Sequence, residues 1–214
     1  MSDISISERH VGHHWDTAEQ EESAARLGMW IFIGQEFLFF GTLFVAYIIF
    51  RVFYPEMFHE ASEHLSWKLG ALNTVFLILS SFSMVLAIRS AQTNKLKNIG
   101  RYLWITFLFA LAFLVVKGFE YDAKIVHGLL PSKWFTAAGH EPTLHLFFGM
   151  YFAFTGLHAL HVIVGMGLIL WLIRKANRGQ LYPGYHTPLE MVSLYWHTVE
   201  LIWIFLFPCL YFVG

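Results

Sequence analysis

Five apolar runs, each near the length of a bilayer crossing, constrain this chain more than any other feature of its sequence. A hydrocarbon core about 30 Å thick takes about 20 helical residues. Runs of that order with few charges lie at Leu27 to Phe50, Leu69 to Ile88, Tyr102 to Tyr121, Leu144 to Ile173 and Met191 to Val213. Strands of a membrane barrel would be about half as long and would alternate in polarity, and these runs do neither. The expected fold class is therefore all-α, a polytopic membrane protein built as a bundle of five transmembrane helices. Composition agrees, because only 14% of the 214 residues are charged, against about 25% in a soluble domain. The 22 Phe and 8 Trp suit lipid-facing helices with aromatic rings at the headgroup level.

Residues 1–26, with Asp3, Glu8, Asp16, Glu19, Glu21 and Glu22, have neither the basic start nor the apolar stretch of a signal peptide. They are expected to form a cytoplasmic amino-terminal tail leading into a transmembrane domain over 27–214. The loops are short and polar, with turn signals at Tyr54-Pro55, Pro131-Ser132 and Tyr182-Pro183-Gly184, and neither a linker nor an internal repeat divides the chain. Direction follows from lysine and arginine. The tail and the second and fourth loops carry Arg9, Arg26, Arg89, Lys95, Lys97, Arg101, Arg174, Lys175 and Arg178; the first and third hold Arg51, Lys68, Lys124 and Lys133. The tail is expected inside the cell and the carboxyl terminus outside. A net charge of −1 points to no nucleic acid, and the lone Cys209 excludes an internal disulfide.

Charged groups at membrane depth are costly and must be neutral, paired or turned towards protein. Glu36 stands alone in the first run, roughly 13 Å from its start by helical rise, and is a candidate for proton handling or for a bond to a neighbouring helix. Glu200 lies equally deep in the fifth run, with His197 three residues earlier on the same face. His158 and His161 are likewise three apart in the fourth run, and Ser80, Ser81 and Ser83 of the second come out at similar depth. One polar layer shared by four helices is expected. Lys117 and Glu120, near the outer end of the third run, can form an ion pair. His10, His13, His14, His59, His64, His127, His140 and His186 fall in the tail or loops and read as solvated, and His145 near a helix end carries no signal. No metal site is expected, since a redox metal needs several ligands with second-shell support. The small residues Gly165 and Gly167 permit close helix packing.

The same residues resemble a known family, subunit III of the haem-copper oxidases, from about His13 to the carboxyl terminus. The stretch Gly28-Met29-Trp30-Ile31-Phe32-Ile33-Gly34-Gln35-Glu36-Phe37-Leu38-Phe39-Phe40 is similar to that family's first common helix, and Glu36 falls on its buried, carbodiimide-reactive carboxylate. Leu72-Asn73-Thr74 and Glu120-Tyr121 match the next two helices. Thr155-Gly156-Leu157-His158-Ala159-Leu160-His161-Val162 and Tyr195-Trp196-His197-Thr198-Val199-Glu200 match the last two, with Thr198 and Glu200 in place of Phe and Asp. The chain lacks the two extra amino-terminal helices of the seven-helix type and looks like the five-helix bacterial version.

The resemblance implies a subunit of an enzyme that is not itself the catalyst. Haem and copper would sit in partner subunits, subunit I in direct contact and subunit II beyond, with cytochrome c as donor and phospholipids bound in a cleft. Glu36 would hold a proton or support the fold, and His158, His161, His197 and Glu200 would make polar or lipid headgroup contacts. Glu36, where an aspartate is expected in quinol oxidases and in the small membrane protein encoded with nitric oxide reductase, leans towards cytochrome c oxidase. A small proton-coupled transporter is the rival from another class, and the missing repeats weigh against it.

Overall fold

The structure, a computed structural model, describes residues 15–63, 65–130, 143–181 and 185–212. Outside them lie Arg9, His10, His13, His14, His64, Lys133, His140, the turns at Pro131-Ser132 and Tyr182-Pro183-Gly184, and the end of the fifth run at Val213. All regular structure among the described residues is helical: α1 Ala18–Phe53, α2 Pro55–Glu63, α3 Trp67–Gln92, α4 Leu96–Val126, α5 Leu144–Asn177 and α6 Thr187–Tyr211. Five of these are long and apolar enough to cross a membrane.

Each long helix overlaps one apolar run, but most overshoot it, because hydropathy marks the part suited to lipid whereas backbone hydrogen bonding continues into polar turns. The difference is largest at α1. It begins nine residues before Leu27, inside the expected tail, where the Thr17 side chain accepts from Gln20 N at 3.2 Å and Asp16 N donates to Gln20 Oε1 at 3.1 Å. This is a reciprocal cap close to the capping box, and Glu19 and Glu21 in the first turn favour the positive end of the helix. At their other ends α3, α4 and α5 stop alike. Asn94, Gly128 and Gly179 take left-handed φ values of 58°, 70° and 69°. The following N–H groups of Lys95, Leu129 and Gln180 bond back to Ser90, Lys124 and Lys175, a Schellman closure that satisfies carbonyls otherwise left open.

Helix α2 was not expected. Tyr54 alone separates it from α1, Pro55 occupies its first turn, where a missing N–H costs nothing, and Met57, Phe58 and Ala61 are buried. The Phe58 ring meets Tyr47 of α1 at 5.2 Å and Phe147 of α5 at 5.3 Å. Short amphipathic helices of this kind fall below a search tuned to membrane-length runs.

Helices α3, α4, α5 and α6 close a ring in which each packs against the next, and α1 lies outside it, mainly against α6. Only 17% of the apolar window of α1 is buried, against 50% for α6. The end of the bundle at which α1, α4 and α6 begin is called the near end below, and the opposite end the far end. Two glycines set the close approaches inside the ring. A Cβ on Gly165 would stand 2.7 Å from Trp196 Cζ3, and one on Gly70 would stand 2.5 Å from Phe207 Cε2.

Candidate functional site

Two buried polar assemblies stand out, one inside the ring towards the far end and one where α1 meets it. In the first, Lys117 and Glu120 share a face of α4 because they are three residues apart, and both are buried. Lys117 Nζ donates to Glu120 Oε2 at 3.1 Å, to Tyr211 OH at 2.6 Å and to Tyr151 OH at 3.3 Å. Glu120 Oε1 accepts from Tyr211 OH at 2.5 Å and from Tyr151 OH at 2.9 Å. The ammonium also lies 4.9 Å from the Trp203 ring centroid, within cation–π range. Three helices, α4, α5 and α6, thus meet on one ion pair whose donors and acceptors are used. Beside it Tyr121 OH and Thr155 Oγ1 are 2.6 Å apart.

In the second assembly Glu36 of α1 faces His161 of α5, with Oε2 and Nε2 3.1 Å apart. His161 Nδ1 lies 2.8 Å from the Leu157 carbonyl, which only accepts, so Nδ1 carries a hydrogen. A favourable contact on the other side of the ring then requires one proton between Nε2 and Oε2, as acid and imidazole or as carboxylate and imidazolium. The contact is poorly aligned as a hydrogen bond, and Glu36 Oε2 has no other partner. The edge of Phe40 approaches His161 at 5.5 Å, and Tyr195 OH donates to the His161 carbonyl at 2.8 Å.

The single polar layer expected from the sequence is divided. Three residues turn a helix by about 300°, so His158 and His161 point about 60° apart, and the walls of the ring fall between them. His161 looks outward at α1, while His158 points inward, fully buried, against Phe113 at 5.5 Å and Trp203 at 5.2 Å. His197 makes a third group: Nδ1 is 2.5 Å from Ser81 Oγ and 3.6 Å from Glu200 Oε2. Next to it Trp196 Nε1 donates to Ser80 Oγ at 3.0 Å, and Ser83 and Thr106 hydroxyls are 2.7 Å apart, so the serines of α3 tie it to α6 and α4.

Sequence reasoning missed Tyr151, Tyr211 and Trp203, which complete the Lys117–Glu120 assembly. They lie far from it in the chain, and no local spacing connects them. It also read His186 as solvated, whereas His186 Nε2 lies 3.0 Å from Glu190 Oε1 and Arg26 of α1 reaches Glu190 at 3.6 Å. Arg26 and Glu190 border a near-end groove of about 410 Å³ with His197 in its wall. An apolar groove of about 360 Å³ runs between α1 and α6, lined by Phe37, Phe40, Phe44, Leu201, Ile202 and Phe205. Among the described residues, no three His, Cys, Asp or Glu side chains converge as a set of metal ligands.

Chemically, the first assembly holds helices together, and the second can hold a proton at the lipid-facing side of the ring. Comparison with known proteins agrees with the helix pattern. The sequence pattern of the family described as Cytochrome c oxidase subunit III matches residues 1–214. A protein named Cytochrome c oxidase subunit 3 from Thermostichus vulcanus is 30% identical over 92% of this chain and 90% of the relative. One named Probable quinol oxidase subunit 3 from Staphylococcus aureus (strain USA300) is 30% identical over 93% and 94%.

Proposed function

Because this chain belongs to the cytochrome c oxidase subunit III family, we propose that it acts as the non-redox third subunit of a cytochrome c oxidase in a bacterial cytoplasmic membrane. The observation that carries this reading is the match along the whole chain, which spans all five long helices. In this reading haem and copper belong to subunits I and II, and subunit I contacts this chain directly. The role of the chain is to support proton uptake, bind phospholipid and stabilise subunit I during oxygen reduction. Glu36, Glu120, His161 and His197 lie against one another, Lys117 and hydroxyl groups, and that use of polar side chains suits a supporting subunit. Helix α1, with most of its apolar window exposed, is the surface most in need of lipid or a partner. The near end, richer in Arg and Lys, faces the cytoplasm by the positive-inside rule, which leaves the carboxyl terminus outside. The part of residues 1–26 before Ala18 is a cytoplasmic tail.

The Staphylococcus aureus relative favours one second reading, a quinol oxidase subunit III. Glu36, where that branch is expected to carry aspartate, favours cytochrome c as donor. The test is to isolate a tagged copy from native membranes in mild detergent, record the reduced-minus-oxidised spectrum and measure oxygen uptake with each donor. Haem bands in a stoichiometric complex that consumes oxygen with reduced cytochrome c are expected. Uptake with quinol alone selects the second reading, and a colourless, haem-free homo-oligomer overturns both in favour of a transporter.

A further inference from the structure

The outer face of α1 is patterned rather than uniformly apolar. Its buried residues are Ile33, Glu36, Phe40 and Tyr47. On the opposite side Ile31, Leu38, Val45 and Val52 recur every seven residues and are between 57% and 75% exposed. Seven residues fall only about 20° short of two helical turns, so these four stand in one stripe along the span. Gly28, Gln35 and Thr42 repeat at the same interval and are exposed beside it. Together the two series make the alternating three- and four-residue spacing with which one helix packs lengthwise on another.

Gln35 determines what kind of surface this seam takes. It lies eight residues past the start of the apolar run at Leu27, roughly 12 Å along the helix, inside a hydrocarbon core about 30 Å thick. Its carboxamide has two N–H donors and an acceptor oxygen, and no described residue of this chain bonds it. Thr42, in the same series, shows how a lone hydroxyl settles at such depth: Oγ1 donates to the Leu38 carbonyl of its own helix at 2.9 Å. The Gln35 amide does not close on its helix in that way, and acyl chains offer it neither donor nor acceptor. Polar groups without partners in hydrocarbon are costly, and amide side chains on transmembrane helices bond across helix interfaces. Gly28, with open space where a Cβ would stand, permits a close approach at the near end of the seam.

We propose that this face of α1 is the docking seam for a transmembrane helix of another subunit of the oxidase, one that carries an amide, hydroxyl or imidazole at the depth of Gln35. The occupant is a protein helix rather than an acyl chain because only a helix supplies hydrogen-bonding side chains inside the hydrocarbon. It is another subunit rather than a second copy because the chain enters an assembly with subunits I and II on the reading under Proposed function, on which this inference rests. The partner lies lengthwise on α1, with Ile31 and Leu38 packing on either side of the Gln35 bond and shielding it from lipid. Helix α1, tied to the ring on its inner side through Glu36 and Tyr47, is then held from both sides.

The test uses the complex isolated intact from native membranes, with a photoreactive benzophenone amino acid in place of Leu38. After illumination, mass spectrometry is expected to find position 38 joined to a membrane helix of a different subunit. Gln35→Leu in the same chain is expected to lower that yield about threefold, the effect of one interhelical hydrogen bond of average strength, while the amount of this chain in the membrane stays the same. Cross-links to lipid alone, cross-links to a second copy of the chain, or a yield that Gln35→Leu leaves unchanged each overturn the proposal. A parent preparation without haem proteins overturns the reading under Proposed function and this inference with it. A haem-containing complex in which position 38 reaches only lipid overturns this inference and leaves that reading standing. Because the benzophenone could itself displace a partner, a map of the unsubstituted complex decides independently. A polar atom of another subunit within hydrogen-bond distance of the Gln35 amide is expected, and an amide bonded only to its own chain overturns the seam.

Discussion

Lys117–Glu120 and Glu36–His161 are both acid–base pairs at membrane depth, and the protein treats them in opposite ways. The first is enclosed by the ring: two tyrosine hydroxyls donate to Glu120 Oε1 and accept from the Lys117 ammonium, which itself donates to Oε2. The second joins the ring to a helix that is mostly exposed. It consists of one misaligned contact, beside a small crevice lined by Phe32, Leu160, Val164 and Tyr195. A buried charge with all its partners in place has no reason to move its proton, and removing one partner is severe. Glu36 Oε2, by contrast, lies against His161 alone and has no completed hydrogen bond. The difference marks the far-end assembly as a completed fastening and the α1 joint as an incomplete one, which is where the proton-handling role proposed for Glu36 is to be tested.

The largest effect that would break this comparison comes from Glu120→Leu. It leaves the Lys117 ammonium uncompensated inside the ring, where losing one partner of a buried pair costs about 3–5 kcal/mol. The variant is expected to be depleted from the isolated complex or to melt far earlier than the parent. Lys117→Met combined with Glu120→Leu should recover much of the loss, since replacing both charges with apolar groups is often near neutral. If Glu120→Leu melts like the parent protein, the assembly fastens nothing.

A smaller effect contrasts packing in the ring with packing on α1. Gly165→Ala forces a methyl against the Trp196 indole, with Cζ3 at 2.7 Å, and over-packing of this kind costs about 1–3 kcal/mol. Gly34→Ala on α1 meets nothing within 4 Å and should be neutral or slightly stabilising, as alanine has the higher helix propensity. Denaturant or thermal titration of the two variants side by side checks the pair. Equal losses would mean that α1 is held as tightly as the ring.

Next comes Tyr47→Phe, which deletes the hydroxyl that donates from α1 to the carbonyl of Cys209, one of the open carbonyls at the end of α6. A hydrogen bond of this type contributes about 0.5–1.5 kcal/mol, and the same titration should register a loss of that size. No change would mean that this hydroxyl does not help to hold α1 against α6.

Much of this contrast was legible in the sequence, for identifiable reasons. Run length named all five long helices, and three-residue spacing paired Lys117 with Glu120 and His197 with Glu200, because both signals are local. Neither signal separates the inner wall of a ring from its outer wall, so His158 and His161 read as one face although about 60° of rotation puts them in different surroundings. Tyr151, Tyr211 and Trp203 complete the fastening from two other helices, and their roles exist only once α4, α5 and α6 have packed. The start of α1 at Ala18 was hidden because its first turns are charged. The Thr17–Gln20 cap was visible in principle to a search for helix starts rather than for apolar runs.

The smallest expected change in stability belongs to Glu36→Gln, and for that reason it sharpens the comparison most. A glutamine at this position can donate its amide N–H to His161 Nε2 and so keep the contact, while His161 Nδ1 continues to donate to the Leu157 carbonyl. The thermal midpoint should therefore stay close to that of the parent, within roughly the ±0.5 kcal/mol of a substitution that creates neither cavity nor orphan. What the substitution does remove is the proton. A lipid-soluble carbodiimide, which reacts with a protonated carboxyl group, should label the parent protein at Glu36 beside its crevice, leave Glu120 unlabelled within its completed bonds, and fail to label the Glu36→Gln variant at this joint. Mass spectrometry of the labelled peptides reads all three. Labelling of Glu120 in the folded complex would show that the far-end assembly opens and exchanges protons too. Full proton pumping by an intact Glu36→Gln complex would confine Glu36 to assembly and leave the proton held at the joint without a part in turnover.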